Sequence, residues 1–163
     1  MVVIVVKDNR PLKFAVAVVI RSIDRKMLFV VQRPPDDDEF PDMWGLPSAS
    51  AKRGELPEEV VRRIGREKLN VELTPNWFLG VKYAERTNYK LILMDMCADI
   101  AEGALNVRIA NVRNRAVPGT KYVDWRWVEG LDILKEAASR GSICSQILLE
   151  YEGVDYPDKR HFN

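Results

Sequence analysis

A sandwich of helices around a mixed β-sheet, of the α/β (α+β) class, is the fold this sequence predicts. Three observations carry that prediction. Short β-branched apolar runs occupy the first thirty residues, one amphipathic helix follows at Pro57 to Leu69, and further strands then lead into two helical segments near the end.

At 163 residues, with 47% hydrophobic and 30% charged side chains, the chain matches one compact domain spanning residues 1–163, with a polar tail over 156–163. Lysine and arginine number 25 against 24 acidic residues, a net charge of +1. That balance gives no global field for nucleic acid or an anionic membrane, and leaves room for a local basic site. Cys97 and Cys144 lack metal-ligand spacing and make no disulfide framework, which fits a reducing cytoplasm. No apolar run approaches the length of a bilayer span.

Val2 to Val6 reads as a first strand, whose apolar edge offers pairing to a second copy in a homodimer. Phe14 to Ile20 and Met27 to Gln32 read as a hairpin around the polar stretch Ser22 to Lys26. Arg33 to Met43 is a loop with the acidic run Asp36, Asp37, Asp38, Glu39; it is either a solvated surface or a lip for metal or substrate. Pro57 suits the first position of the central helix, Glu58 and Glu59 its positive end, and Asn70 a left-handed stop. Gly65 is out of place in that helix. Trp77 to Tyr83 and Lys90 to Ile100 form a long hairpin around Glu85 to Asn88. A polar stretch from Ala101 to Thr120 precedes a strand at Tyr122 to Val128 and helices at Leu131 to Ser139 and Ser142 to Tyr151.

The central region is more specific. Trp44, Gly45, Leu46, Pro47 is followed by Gly54, Glu55, then Pro57, Glu58, Glu59, and later Arg63. This pattern resembles the Nudix hydrolase family, whose box reads glycine, five residues, glutamate, seven residues, then Arg-Glu-U-x-Glu-Glu-x-Gly-U, with U a bulky aliphatic. Glu55 and Arg63 match the first glutamate and the arginine, Ala49 and Asn70 stand where the family has glycine, and Val71 fits the last aliphatic position. The resemblance covers most of residues 12 to 150 and implies a Nudix-like α/β/α sandwich, with Glu55 and Arg63 bracing the box.

The three helical glutamates of the family map to Ile64, Glu67 and Lys68, so one carboxylate remains. Residues three and four apart share a helix face, which is how such acids together present oxygens to Mg²⁺ or Mn²⁺ on a diphosphate. Three readings stay open. In the first, the protein hydrolyses a nucleoside diphosphate derivative, with Glu67 as catalytic and metal-binding carboxylate and further acids from Glu59, Glu55, Asp36 to Glu39 or Glu102. In the second, it binds a nucleotide or phosphate without metal, Lys68 acting as a point charge on the phosphates. In the third, Glu67 and Lys68 organise a different chemistry as a charged pair. Arg33, Trp44 and Lys68 are the candidate substrate contacts. The ordinary reading of Lys68 is a surface helix lysine, and of Trp125 and Trp127 one face of the core. His161 in the tail has no assigned role, and Cys144 reads as a small buried thiol. If the helix face is the phosphate site, Lys68→Glu with Ile64→Glu should raise Mg²⁺ affinity.

Overall fold

A computed structural model describes residues 2–4, 7–100 and 122–159. Glu102, His161 and the stretch Ala101 to Thr120 lie outside the described residues, as do Val5 and Val6.

Two sheets form the body. Strands β1 (Leu12–Ile20), β4 (Ser48–Ser50), β5 (Leu73–Glu85) and β6 (Lys90–Ile100) make a mixed sheet in the order β4-β1-β6-β5. Its one parallel pair is β1 with β6, while β1–β4 and β5–β6 are antiparallel. The second sheet orders β3 (Trp44–Gly45), β2 (Met27–Gln32) and β7 (Asp124–Glu129). Helix α1 (Pro57–Ile64) covers one face of the mixed sheet; α2 (Lys135–Ser139) packs on α3 (Ile143–Tyr151), which covers the other. The expected mixed-sheet α/β/α sandwich is thus present, with one apolar core under each helical layer. No helix among the described residues is long and apolar enough to cross a membrane.

Three expectations need correction. Val2, Val3 and Ile4 are exposed and belong to no strand; β1 already has β4 on one side and β6 on the other, so no edge beside it remains for them. For the same reason β1 and β2 do not continue as a hairpin. They part after a single bridge, Arg21 with Leu28, and β2 founds the second sheet. The segment Ser48–Ser50 is an edge strand on β1. Strand β5 also begins earlier than expected, at Leu73, running through Pro75 where the register slips. Proline is tolerated there because β5 is an edge strand and the slip needs no ladder donor.

The central helix changes pitch. Pro57–Ile64 is α-helical, and Glu59 accepts a hydrogen bond from the Leu56 N–H (2.8 Å), closing the first turn. Gly65–Leu69 is then a π-helical turn that ends at Asn70, in the left-handed conformation expected of it (φ 55°). The Gly65 carbonyl accepts from the N–H groups of both Asn70 and Val71. A wide turn of this kind carries Leu69, five residues after Ile64, onto the core side, and both side chains are fully buried. Gly65 explains why the turn is possible: a Cβ there would lie 2.7 Å from the Val71 carbonyl oxygen and 2.8 Å from Leu73 Cγ. Gly65→Ala is therefore expected to destabilise the protein by about 2 kcal/mol, despite alanine's better helix propensity, because the crowding is against backbone. Urea unfolding of the variant checks this, and an unchanged or raised midpoint would contradict it.

Candidate functional site

The π-helical turn and the edge strand β4 meet side by side, and two cations from the helix fasten the strand. Arg63 donates to the Ser50 carbonyl (2.8 Å) and Lys68 Nζ to the Ser48 carbonyl (2.6 Å). The Tyr122 hydroxyl accepts from the Ser48 N–H at 2.8 Å. An edge strand normally leaves such groups to water.

Arg63 also grips Glu55 in a bidentate pair, Nε to Oε2 and NH2 to Oε1, both 2.8 Å. The guanidinium bound to Glu55 holds its carboxyl down at about 2, from an ordinary 4.5. Glu55 Oε1 accepts in addition from the Lys52 N–H, closing the turn Lys52–Glu55 in which Gly54 takes φ 78°. Arg63 and Glu55 thus tie the start of the helix to the turn before it.

Beside this clamp opens a cavity of about 370 Å³. Ser48, Ser50, Arg63 and Lys68 form one wall, while Ala15, Leu91, Leu93 and Cys144 supply apolar lining. Arg33, Glu39 and Phe40 enter from the loop after β2, and Arg86 and Tyr89 from the β5–β6 hairpin tip. Its cations are Lys13, Arg33, Lys52, Arg63, Lys68 and Arg86, against the one acid Glu39. Three of them are engaged: Arg63 with Glu55, Arg33 with Asp37 at 3.1 Å, and Arg86 near Glu39 at 3.5 Å. Lys13, Lys52 and Lys68 have no carboxylate partner among the described residues.

Lys68 is the unusual one. It is 6% exposed, and beyond the Ser48 carbonyl its ammonium has the face of Tyr122, 5.2 Å from the ring centroid. An ammonium offers three donors, and burial of a charge is tolerated only with partners. The ordinary reading of an exposed helix lysine is overturned.

The three helix positions expected to face a metal do not share one exposed side. Ile64 is in the core, Glu67 turns out to an ion pair with Arg63 (3.6 Å), and Lys68 enters the cavity wall. The change to a π-helical turn after Ile64 separates residues that a continuous α-helix would align. Glu59 is spent on the helix start and Glu55 on Arg63. The described residues contain no group of three or more His, Cys, Asp or Glu placed to hold a metal ion. This donor set, an ammonium with engaged carboxylates, does not fit Mg²⁺ or Mn²⁺.

The other candidates divide. Arg33 lines the cavity, as expected of a ligand contact, though Asp37 holds it and Asp37 also caps the Phe40 N–H. Trp44 is outside the cavity lining: it pairs with Gln32 and packs on the core beneath the Arg126 guanidinium, 4.3 Å from its ring. Trp125 stacks on Phe29 and Trp127 meets the same ring edge-on, both on the core face as their alternation predicts. Of the acidic run, Glu39 is the member at the cavity, accepting a short hydrogen bond from the Tyr89 hydroxyl. Desolvation and then that bond push the Tyr89 phenol up to about 12. Arg66 is exposed, and Cys144 is the buried thiol expected, with burial raising its pKa.

Sequence reasoning missed Lys13, Arg86, Tyr89 and Cys144 as cavity residues because no local motif contains them. Strand parity could have flagged Lys13, whose neighbour on the same face is Leu91. One further group stands out below the cavity floor: Asp95, in register with Leu91 and Leu93 on β6, is fully buried and has no hydrogen-bond partner among the described residues. Burial raises its pKa well above the ordinary carboxylate range.

In overall shape the chain is similar to the MutT protein from Methanosarcina mazei Go1, with a TM-score of 0.69 and 16% identity over 90% of this chain and 97% of that one. A Nudix hydrolase from Nitrosomonas europaea gives 0.65 at 16% identity over 91% and 93%, and an Ap4A hydrolase from C. elegans gives 0.58 at 16% identity over 86% and 96%. No family sequence model and no curated protein matches the chain. The chain has the Nudix hydrolase fold.

Proposed function

We propose that this chain, a single Nudix-fold domain, binds the phosphates of a nucleotide derivative directly through cationic side chains, without a divalent metal. The observation that carries this reading is Lys68, a buried ammonium in the cavity wall with one carbonyl acceptor and no carboxylate partner among the described residues. A phosphate oxygen entering the cavity would meet its remaining donors in a site of low dielectric, where a charge-assisted hydrogen bond is strong. Lys13 and Lys52 add positive charge at the cavity, and the apolar lining of Leu91, Leu93 and Phe40 suits the less polar part of such a ligand. The similar structures, a Nudix hydrolase and an Ap4A hydrolase, support a nucleotide as the ligand class. Hydrolysis at a phosphoanhydride bond is the competing reading, and it would have to recruit acids other than those of the helix.

The test is isothermal titration of the whole chain with ADP-ribose and with ADP, in EDTA and then in Mg²⁺, with released AMP and phosphate measured in the same samples. Binding in EDTA without turnover is expected. Lys68→Met should weaken it by about ten-fold or more, the loss of one charge-assisted hydrogen bond in a desolvated site. Binding that requires Mg²⁺ and is followed by AMP release would overturn the proposal, as would no binding under either condition.

A further inference from the structure

Helix α1 does not reach across the whole of the sheet face on its side. Residues paired in register on β1, β6 and β5 point to the same side of the sheet. On the α1 side they form the rows Phe14–Ile92–Tyr83, Val16–Met94–Val81 and Val18–Met96–Phe78. Val16, Val18 and Met96 are buried. Beyond them Phe14 and Tyr83 are each 54% exposed, Val81 52%, and Leu12 and Phe78 49%. Leu56, the residue before α1, is also exposed; its neighbour Glu55 shares a hollow with Leu12 and Phe14, and Pro57 shares one with Phe78 and Met94.

Together these six side chains present roughly 600 Å² to water, at the top of what the largest apolar patch of a monomer usually reaches. Two such faces pressed together bury about 1,200 Å², the area at which stable, specific interfaces begin. The surface is three adjacent strands of one sheet, and the shape that fits it is another sheet packed face to face. A second copy of the chain carries that shape.

Charge at the two ends of the face is complementary as well. Lys90 stands where β5 and β6 turn, and its cross-strand neighbour Glu85 is held by Arg10 at 3.0 Å. Glu58 stands at the other end, in a hollow of about 320 Å³ lined also by Pro57, Phe78 and Met94. We infer that two copies pack through this face about a two-fold axis lying between the sheets and crossing their strands at Ile92. Lys90 of each copy then enters the hollow that holds Glu58 of the other, so the charged contact occurs twice. The apolar rows supply affinity and the charged pairs fix the register. The cavity bearing Lys68 opens on the opposite side of the sheet, at Ala15, Leu91 and Leu93, and is left clear.

Sedimentation equilibrium of the whole chain over a range of concentrations tests this, on the wild type, Phe14→Lys, Lys90→Glu, Glu58→Lys and the double charge reversal. Circular dichroism establishes that each variant is folded. The wild type is expected to show a reversible monomer–dimer equilibrium. Phe14→Lys should weaken the dimer by about ten-fold or more, as loss of a central aromatic anchor does. Either charge reversal alone should weaken it several-fold, and the two together should restore it, because each contact again joins opposite charges. A wild type that stays monomeric throughout would overturn the proposal. So would a dimer that persists unchanged in Phe14→Lys and in both single reversals, which would put the contact elsewhere, as on the exposed Val2, Val3 and Ile4.

Discussion

Ile64→Glu, which restores a carboxylate at a position where the family box has one, will cost the protein its fold instead of creating a metal site. Ile64 is fully buried among Val60, Val61, Leu69 and Leu73, with no polar group provided for it. A carboxylate there loses the isoleucine's packing and is either ionised without a partner or protonated without one. Together these cost more than about 4 kcal/mol, a large share of the stability of a domain this size. Thermal unfolding by circular dichroism should show a collapsed or absent transition that 10 mM-scale Mg²⁺, on the order of a weak site's Kd, does not rescue through binding. Lys68→Glu alone is the companion variant: it faces the cavity, keeps the core intact, and should still fold. The expectation that the double change raises Mg²⁺ affinity is thereby withdrawn on structural grounds. An Ile64→Glu protein that folds and gains stability on adding Mg²⁺ would show that position 64 faces the cavity after all.

Arg63→Met carries the second large effect. The guanidinium joins three separate segments: Glu55 after the turn, the Ser50 carbonyl on β4, and Glu67 one helical turn on. Both partners of the Glu55 pair are nearly enclosed, with side chains 11% and 12% exposed. Removing the arginine leaves that carboxylate desolvated and unpaired, which in buried pairs costs about 3 kcal/mol. The sign of the pH dependence follows from Glu55. Its folded value, about 2, is below its ordinary 4.5, so the pair contributes stability above pH 4.5 that is lost as pH falls toward 2. Urea midpoints measured from pH 7 down to pH 2 should fall steeply through that window in the wild type and less steeply in Arg63→Met. Parallel curves for the two proteins would mean that this ion pair does not govern acid stability.

Much of the scaffold was legible in the residues. The β-branched runs of β1 and β2, the proline and glutamates at the start of α1, Asn70 at its end and the Glu55–Arg63 spacing each carry local physics that survives in the folded chain. Gly65 was legible only as a misfit; its reason, a wide turn pressed against Val71 and Leu73, needs the partner strand to be in place. Lys68 could be placed on the helix but not assigned a direction, because a π-helical turn changes the angle at which every later side chain leaves the axis.

Local residue patterns were therefore enough for the class of fold, the order of most of its elements and the lack of an ordinary acid cluster on the central helix. Those depend on periodicity, caps and residue identity, all of which act within a few residues of one another. Only the tertiary structure decided that Ile64 belongs to the core, that Lys68 is a buried ammonium, and that Lys13, Arg86 and Tyr89 share a cavity with it. Such groupings arise from strand order and sheet pairing, which bring together residues dozens of positions apart. Charge at a site is a sum over those neighbours, and a sequence near neutrality overall can still gather six cations around one cavity with a single acid.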